Sequence, residues 1–287
     1  MSRIAYVNGR YVPYREAEVH IDDRGYQFSD GVYEVVGLIN GRLFDEEPHW
    51  DRLDRSLKEL SIPWPMSRAA FRLVVREVIR RNRVKTGIVY VQVNRGIAVR
   101  DHPFPKSAVP TLVITSRRSN PAAAAAQAKG VAVISVPDIR WKRCDIKTIG
   151  LLPNVLARQA AREAGAVEAW MVSPDGFVTE GAATNAWIVT KDNKLLTRAT
   201  DTSILWGITR GSVAAVARKS GVKLVERPFS LAEAKKAREA FITSTTSFVT
   251  PVVKIDRTKI GDGKPGPLTR KLQDWYRTYL ARQGAAA

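Results

Sequence analysis

Lys147 stands in the stretch Arg140-Trp141-Lys142-Arg143-Cys144-Asp145-Ile146-Lys147-Thr148, after an apolar run from Val131 to Val136 and before a helical pattern that begins near Asn154. The apolar run reads as a buried strand. A lysine in such a setting can have a lowered pKa, and a neutral amine can condense with an aldehyde cofactor and then act as a base. Three more stretches carry chemistry that matches. Val178-Thr179-Glu180-Gly181-Ala182-Ala183-Thr184-Asn185 puts a carboxylate at a strand end, before small residues. Gly207-Ile208-Thr209 opens a helix, where free backbone N–H groups can hold a phosphate. Thr243-Ser244-Thr245-Thr246-Ser247 is a hydroxyl-rich strand end that suits the same anion. Each stretch also has an ordinary reading. Lys147 is one of 46 basic residues, most of which are solvated charges; Glu180 reads as a turn residue, Gly207 as a plain helix start, and the hydroxyl run as a strand terminus. As a set they supply what pyridoxal phosphate chemistry requires: an amine for the aldehyde, an acid for the pyridine nitrogen, and donors for the phosphate.

The elements that must position these groups follow from local pattern. Asn8-Gly9 and Asn40-Gly41 lie between short apolar segments and predict two hairpins, because Asn-Gly tolerates the positive φ of a type I′ turn. Trp50 to Leu60 predicts a helix with Leu53, Leu57 and Leu60 on one face; Ser67 caps a second, with a stripe at Phe71, Val74, Val75, Val78 and Ile79. Ile88 to Val93 and Thr111 to Thr115 read as strands. The alanine-rich stretch from Asn120 to Lys129 is a short helix or a linker. Beyond it come strands at Val131 to Val136, Ala169 to Val172, Ala186 to Thr190 and Phe241 to Thr246. Helices are expected from Asn154 to Gly165, over Ile208 to Lys219, after a capping box at Ser230-Leu231-Ala232-Glu233, and over Leu268 to Leu280. The expected division is a small α+β domain over 1–119, a linker at 120–130 and a larger α/β domain over 131–287.

Composition sets outer bounds. With 287 residues, 45% hydrophobic and 26% charged, the chain suits one large or two modest domains. One cysteine, Cys144, precludes an intrachain disulfide framework and points to a reducing cytoplasm. No signal peptide and no membrane-length apolar run is read, and no metal is expected. The net charge of +18 raises nucleic acid as a rival partner. The basic residues are spread along the chain without a basic block or a recognisable motif, so small anions are the better expectation.

Several pieces, in order, carry a resemblance over nearly the whole chain. They are Asp23-Arg24-Gly25-Tyr26-Gln27-Phe28 with Asp30-Gly31-Val32-Tyr33-Glu34, His49-Trp50-Asp51-Arg52-Leu53, Arg95-Gly96, Arg140-Trp141 with Cys144-Asp145-Ile146-Lys147, Thr179-Glu180-Gly181, Gly207-Ile208-Thr209-Arg210 and Thr243-Ser244-Thr245-Thr246. On these pieces the chain resembles the fold-type IV pyridoxal phosphate enzymes (class IV aminotransferases), and within them the bacterial D-amino acid transaminases. The resemblance implies pyridoxal 5′-phosphate as cofactor, with Lys147 as the Schiff-base lysine and general base. It implies Glu180 as the partner of the pyridine nitrogen, Arg52 as the phosphate arginine, and Leu205 against the ring face. Gly207, Ile208, Thr209, Ser244 and Thr245 then complete the phosphate cradle.

The same resemblance maps a substrate-carboxylate trap onto Arg100, His102 and Tyr33, with the first two reaching across from a second subunit; a homodimer with a shared site is implied. Without the resemblance, Arg100 and His102 read equally as a solvated loop pair before Pro103 and Pro105. Ala182 and Ala183 stand where such transaminases tend to carry serines, and Trp206 replaces a smaller or charged residue, so the substrate range is less fixed than the reaction. The expected activity is ping-pong amino transfer from a D-amino acid such as D-alanine to a 2-oxo acid such as 2-oxoglutarate. Alternatives on the same fold are a branched-chain L-amino acid transaminase, an (R)-amine transaminase and an aminodeoxychorismate lyase.

Overall fold

The computed structural model describes residues 3–119 and 122–285, and its contacts divide the chain into two compact units. The first comprises Met1–Asn120 with Ile146–Gly150, the second Pro121–Asp145 with Leu151–Ala287. The lysine segment thus belongs by its contacts to the first unit, whereas the pattern of apolar runs had kept it in the second.

The first unit is built on six strands: β1 Ile4–Val7, β2 Arg10–Pro13, β3 Gly31–Ile39, β4 Arg42–Leu43, β5 Gly87–Asn94 and β6 Thr111–Arg118. Their spatial order is β2-β1-β6-β5-β3-β4, antiparallel throughout. The Asn-Gly pairs close two-residue turns, with φ of 45° and 92° at Asn8 and Gly9 and of 52° and 83° at Asn40 and Gly41. Three helices accompany the sheet: α1 Arg24–Phe28, α2 Glu46–Glu59 and α3 Arg68–Asn82. Alternation along β3 and β5 sends Val32, Val36, Val89, Val91 and Val93 to one face, where they pack with Trp50, Leu53, Leu57, Phe71, Val75 and Val78. Ser67 caps α3 as its sequence predicts, accepting from Ala70 N–H at 3.3 Å. The opposite face carries the half-buried Tyr33, Val35, Tyr90 and Gln92.

β4 pairs only with Leu38 and Ile39, which leaves the other end of β3 an open edge. Ile146–Gly150 takes that edge. Tyr33 N–H donates to the Lys147 carbonyl at 3.0 Å, Ile149 N–H donates to the Gly31 carbonyl at 3.1 Å, and Val32 and Thr148 form an antiparallel bridge. Ile146 joins the core of the unit.

The second unit holds nine strands: β7 Val131–Pro137, β8 Glu168–Val172, β9 Val178–Gly181, β10 Asn185–Val189, β11 Leu195–Thr197, β12 Leu224–Glu226, β13 Glu239–Ser244, β14 Phe248–Ile255 and β15 Thr258–Lys259. Eight run in the order β12-β11-β10-β13-β14-β7-β8-β9, and β15 pairs with β14. Its helices are α4 Ala122–Lys129, α5 Leu152–Glu163, α6 Ile208–Lys219, α7 Leu231–Lys235 and α8 Pro267–Ala285. The alanine stretch is therefore helical as far as it is described; Asn120 and Pro121 lie outside the described residues. Strand β14 is central although it contains Pro251. That proline is registered opposite Phe241 of β13, and registered pairing with β7 begins only at Val252, one residue later. Trp170, Val178, Ile188, Phe229, Ile242 and Val252 fill the core.

Helix α8 owes its start to a residue of β13. The buried Glu239 carboxylate accepts from Leu268 N–H at 3.0 Å, Thr269 N–H at 2.7 Å and Thr269 Oγ1 at 2.8 Å. It thereby satisfies N–H groups that a helix cannot pair internally. A Cβ on Gly266 would come within 2.1 Å of the Glu239 Cδ, so only glycine lets the carboxylate in. We expect Glu239→Ala to lower stability by about 1–3 kcal/mol, the cost of leaving buried donors unpaired. Urea unfolding with an unchanged slope checks it, and an unchanged midpoint would contradict the capping role.

Candidate active site

In the first unit the expected residues fall into two groups. The Lys147 Nζ lies 4.1 Å from the centre of the Tyr33 ring, and its backbone N–H donates to Ser56 Oγ at 3.4 Å. Tyr33 packs on Tyr90 with ring centres 5.7 Å apart. Burial, and to a smaller extent Tyr33, pushes the Tyr90 hydroxyl up to about 12, so it keeps its proton and donates to Gln92 Oε1 at 2.7 Å. From there the chain of hydrogen bonds runs through Asn94 to the buried Asp23, which caps α1. Arg100 and His102 sit on an exposed loop, gathered against the ring of Phe28: the Arg100 guanidinium is 5.0 Å from its centre and the His102 ring 5.5 Å.

Arg52 is buried on α2 and locked in a fork with Glu34, Nε to Oε1 at 2.7 Å and Nη2 to Oε2 at 2.9 Å. His49 Nδ1 lies 2.7 Å from the same carboxylate. Burial alone would raise the Glu34 carboxyl, but Arg52 and His49 outweigh it and hold it far below the usual range. For His49 burial wins over Glu34 and depresses the imidazole. The ring is then neutral at pH 7 and donates from Nδ1, with Nε2 buried and without a partner. The sequence pieces contain Glu34 and His49, but only the register of β3 against α2 reveals what they do.

In the second unit Glu180 ends β9, buried. Its carboxylate accepts from Asn185 Nδ2 at 2.9 Å and Leu205 N–H at 3.0 Å, and it forms an ion pair with Arg140. Arg140 also forks onto Asp138 at 2.7 and 2.9 Å and donates to the Ser203 carbonyl at 3.0 Å. Burial opposes the Arg140 charge, yet Asp138 and Glu180 hold its pKa above the ordinary value, and burial of Asp138 is likewise outweighed by Arg140, which lowers its carboxyl. Glu180 is therefore a buried carboxylate held by Arg140, Asn185 and the Leu205 N–H, and Arg140 is a structural contributor to which the sequence pattern assigned no role. Cys144 is a buried free thiol, pushed by burial up to about 11.

Helix α6 begins at Gly207 without a side-chain cap, which leaves the first-turn N–H groups of Ile208 and Thr209 for a ligand. A Cβ on Gly207 would fall 2.0 Å from Asn185 Oδ1, so the glycine also keeps room for the residue that holds Glu180. The turn after β13 presents Ser244, which meets Ser247 Oγ at 2.6 Å and Thr246 Oγ1 at 3.3 Å, with Thr245 between. An uncapped helix start and adjoining hydroxyls are donors of the kind a pyridoxal phosphate needs at its phosphate, and a buried carboxylate is an acceptor of the kind its ring nitrogen needs. Ala182 is buried among Ala157, Ala161 and Ala169, while Ala183 is exposed.

Residues 31–255 match the family model of amino-transferase class IV. This chain belongs to that family. It is 42% identical over 272 residues to a D-alanine aminotransferase of Listeria monocytogenes, covering 94% of this chain and 93% of that protein. Among solved structures, a branched-chain amino acid aminotransferase of Escherichia coli superposes with a TM-score of 0.90 at 23% identity, over 98% of this chain and 95% of that one. The branched-chain aminotransferase of Thermobaculum terrenum in its PLP (holo) form gives 0.82 at 26% identity, over 97% and 94%. The fold is that of these fold-type IV enzymes, and the chain is a pyridoxal-phosphate-dependent aminotransferase.

The buried His49 makes stability depend on pH with a definite sign. Below the ordinary imidazole value of 6.5 the unfolded chain takes up a proton that the folded chain refuses. The melting temperature should therefore fall as pH drops from 6.5 towards 5. His49→Gln should flatten that part of the curve; an unaltered slope would show that His49 titrates normally in the fold.

Proposed function

We propose that the chain is a D-amino acid transaminase acting on a D-amino acid such as D-alanine and on a 2-oxo acid such as 2-oxoglutarate. The near full-length likeness to a D-alanine aminotransferase supports the reaction. The observation that carries the substrate class is the pairing of Arg100 and His102 on one ring, a cation and an imidazole gathered on one exposed loop, suited to a carboxylate.

When bound, pyridoxal phosphate supplies the electron sink and carries the amino group between the two substrates. Lys147 would hold its aldehyde carbon, Glu180 its ring nitrogen and Leu205 its ring face, with Arg52, Gly207, Ile208, Thr209, Ser244 and Thr245 at its phosphate. Lys147 Nζ takes the proton from the substrate Cα. Tyr33, whose ring packs against that amine, would shield it from water on one side and complete the carboxylate trap with Arg100 and His102 of a second subunit. Glu180, held by Arg140 and Asn185, would favour a proton on the cofactor's ring nitrogen.

We further infer a homodimer. Large apolar side chains surround the Arg100 loop in the open, with Val99 89%, Val109 82% and Tyr26 74% exposed. Among the described residues no helix is long and apolar enough to cross a membrane. The buried thiol of Cys144 favours a reducing cytoplasm as the site of action.

Lys147→Ala should cost at least about a thousandfold in turnover. Retained turnover would remove the lysine from the reaction. Arg100→Ala should raise KM for D-alanine roughly ten- to a hundredfold, the worth of one charge-assisted contact to a carboxylate. Single-turnover spectra with D-alanine, L-leucine and (R)-1-phenylethylamine decide among the pockets: reaction with D-alanine alone is expected. Reaction with L-leucine or the amine would reassign the substrate while keeping the fold. Sedimentation of the holoenzyme as a monomer would sink the dimer.

A further inference from the structure

Arg24 lies 3% exposed at the start of α1, away from the groups assigned to cofactor and proton transfer. Its guanidinium divides its donors between two tasks. Nε donates to Asp30 Oδ2 at 2.8 Å. Nη1 and Nη2 donate to the backbone carbonyls of Asp101 at 2.5 Å and of His102 at 3.1 Å. Asp30 is itself held from the other side by Arg95, through Nε at 2.7 Å and Nη2 at 3.0 Å. Arg95 is tied in turn to the Leu60 and Ser61 carbonyls at 2.7 and 3.2 Å. The result is a rigid series: the end of α2, Arg95, Asp30, Arg24, then the loop.

The side chains of that loop use the same arginine indirectly. Phe28, one turn along α1, has the Arg24 guanidinium 4.8 Å from its ring centre and receives Arg100 and His102 on the same ring. Backbone bonds fix the root of the loop, with Arg24 N–H on the Gly96 carbonyl at 2.9 Å and Ala98 N–H on the Asp22 carbonyl at 3.2 Å. The stretch from Asp101 to Lys106 lies outside any strand or helix, and Pro103 cannot donate to a ladder, so the loop depends on contacts of this kind for its shape.

We propose that Arg24 is a positioning residue for substrate-carboxylate selection: by clamping the carbonyls of Asp101 and His102 it fixes the direction in which Arg100 and His102 present their charges. This rests on the reading of Arg100 and His102 as the carboxylate trap. A guanidinium suits the task and an ammonium does not. Only the planar fork reaches two consecutive carbonyls while keeping a third donor on Asp30.

The test is a double-mutant cycle on the holoenzyme, read in KM and kcat for D-alanine. Arg24→Lys keeps the charge beside Asp30 and removes the fork; it should raise KM roughly tenfold with kcat within about twofold and the bound-cofactor spectrum unchanged. In an Arg100→Ala background the same change should add clearly less than about tenfold, because the part of its effect that passes through Arg100 is gone and only the part through His102 remains. Full additivity, or a loss in kcat with KM unmoved, would overturn the proposal by making Arg24 a general structural residue. If Arg100→Ala alone leaves KM unmoved, the carboxylate reading itself fails, and that result is distinct from an Arg24 failure. Should Arg24→Lys not bind cofactor, Phe28→Leu enters the same cycle. It removes the shared ring, and a KM increase absent from the Arg100→Ala background supports the clamp; no increase overturns it.

Discussion

Buried arginine–carboxylate pairing is the interaction on which this protein depends most. Among the described residues it is fullest at three places, Glu34 with Arg52, Asp30 with Arg24 and Arg95, and Arg140 with Glu180 and Asp138. A buried charge left alone is expensive, and a buried pair is tolerated only when its remaining donors and acceptors are satisfied. Each of these carboxylates meets further donors or a second arginine. The strength of such pairs matters less than their geometry: a bidentate fork fixes both side chains in distance and plane. A basic chain of net charge +18 has arginines to spare for this, and it spends several of them where no solvent reaches. The positive charge that raised nucleic acid as a partner is in part an internal device of the fold.

The same pairing ties together groups far apart in sequence. Within the second unit Arg140 holds the Glu180 carboxylate from forty residues upstream. Within the first, burial keeps the Tyr90 hydroxyl protonated. From Tyr90 a line of hydrogen bonds passes to Asp23, and from Asp23 the chain turns directly into Arg24. The tyrosine face beside Lys147 and the loop carrying Arg100 and His102 thus share one support within the first unit.

Much of the local structure was legible because local physics decided it. Asn-Gly at 8–9 and 40–41 requires positive φ and gives hairpins in any context, and the apolar stripe of α3 has one buried solution. Strand β14 was illegible because Pro251 reads as a break, and only its neighbours place it, opposite Phe241 and one residue before pairing with β7 begins. Strands β11 and β12 are three residues each, too short for a periodic signal. At the site, residue type and setting mark Lys147 and Glu180 only as members of a set; each alone reads as an ordinary residue, and the resemblance supplies their expected roles. Arg140 could not be given a role, because its partners are set by the meeting of β9 with the segment after β7. Arg24 had no signal of its own beyond its place in a motif, since what it holds is backbone, and carbonyl acceptors leave no trace in side-chain identity.

Lys147 reaches its place through a short excursion, with residues on both sides of Ile146–Gly150 belonging to the other unit. This has a consequence for biosynthesis. As the chain leaves the ribosome, β1 to β6 emerge first and can form their sheet, but the edge of β3 and the core place of Ile146 stay vacant until the later segment appears. The Lys147 amine is thereby delivered late, by strand addition to an edge already formed. A nascent first unit therefore carries an exposed, apolar strand edge for as long as some tens of residues take to synthesise, and it is in that interval that the chain is most open to pairing with another copy of itself.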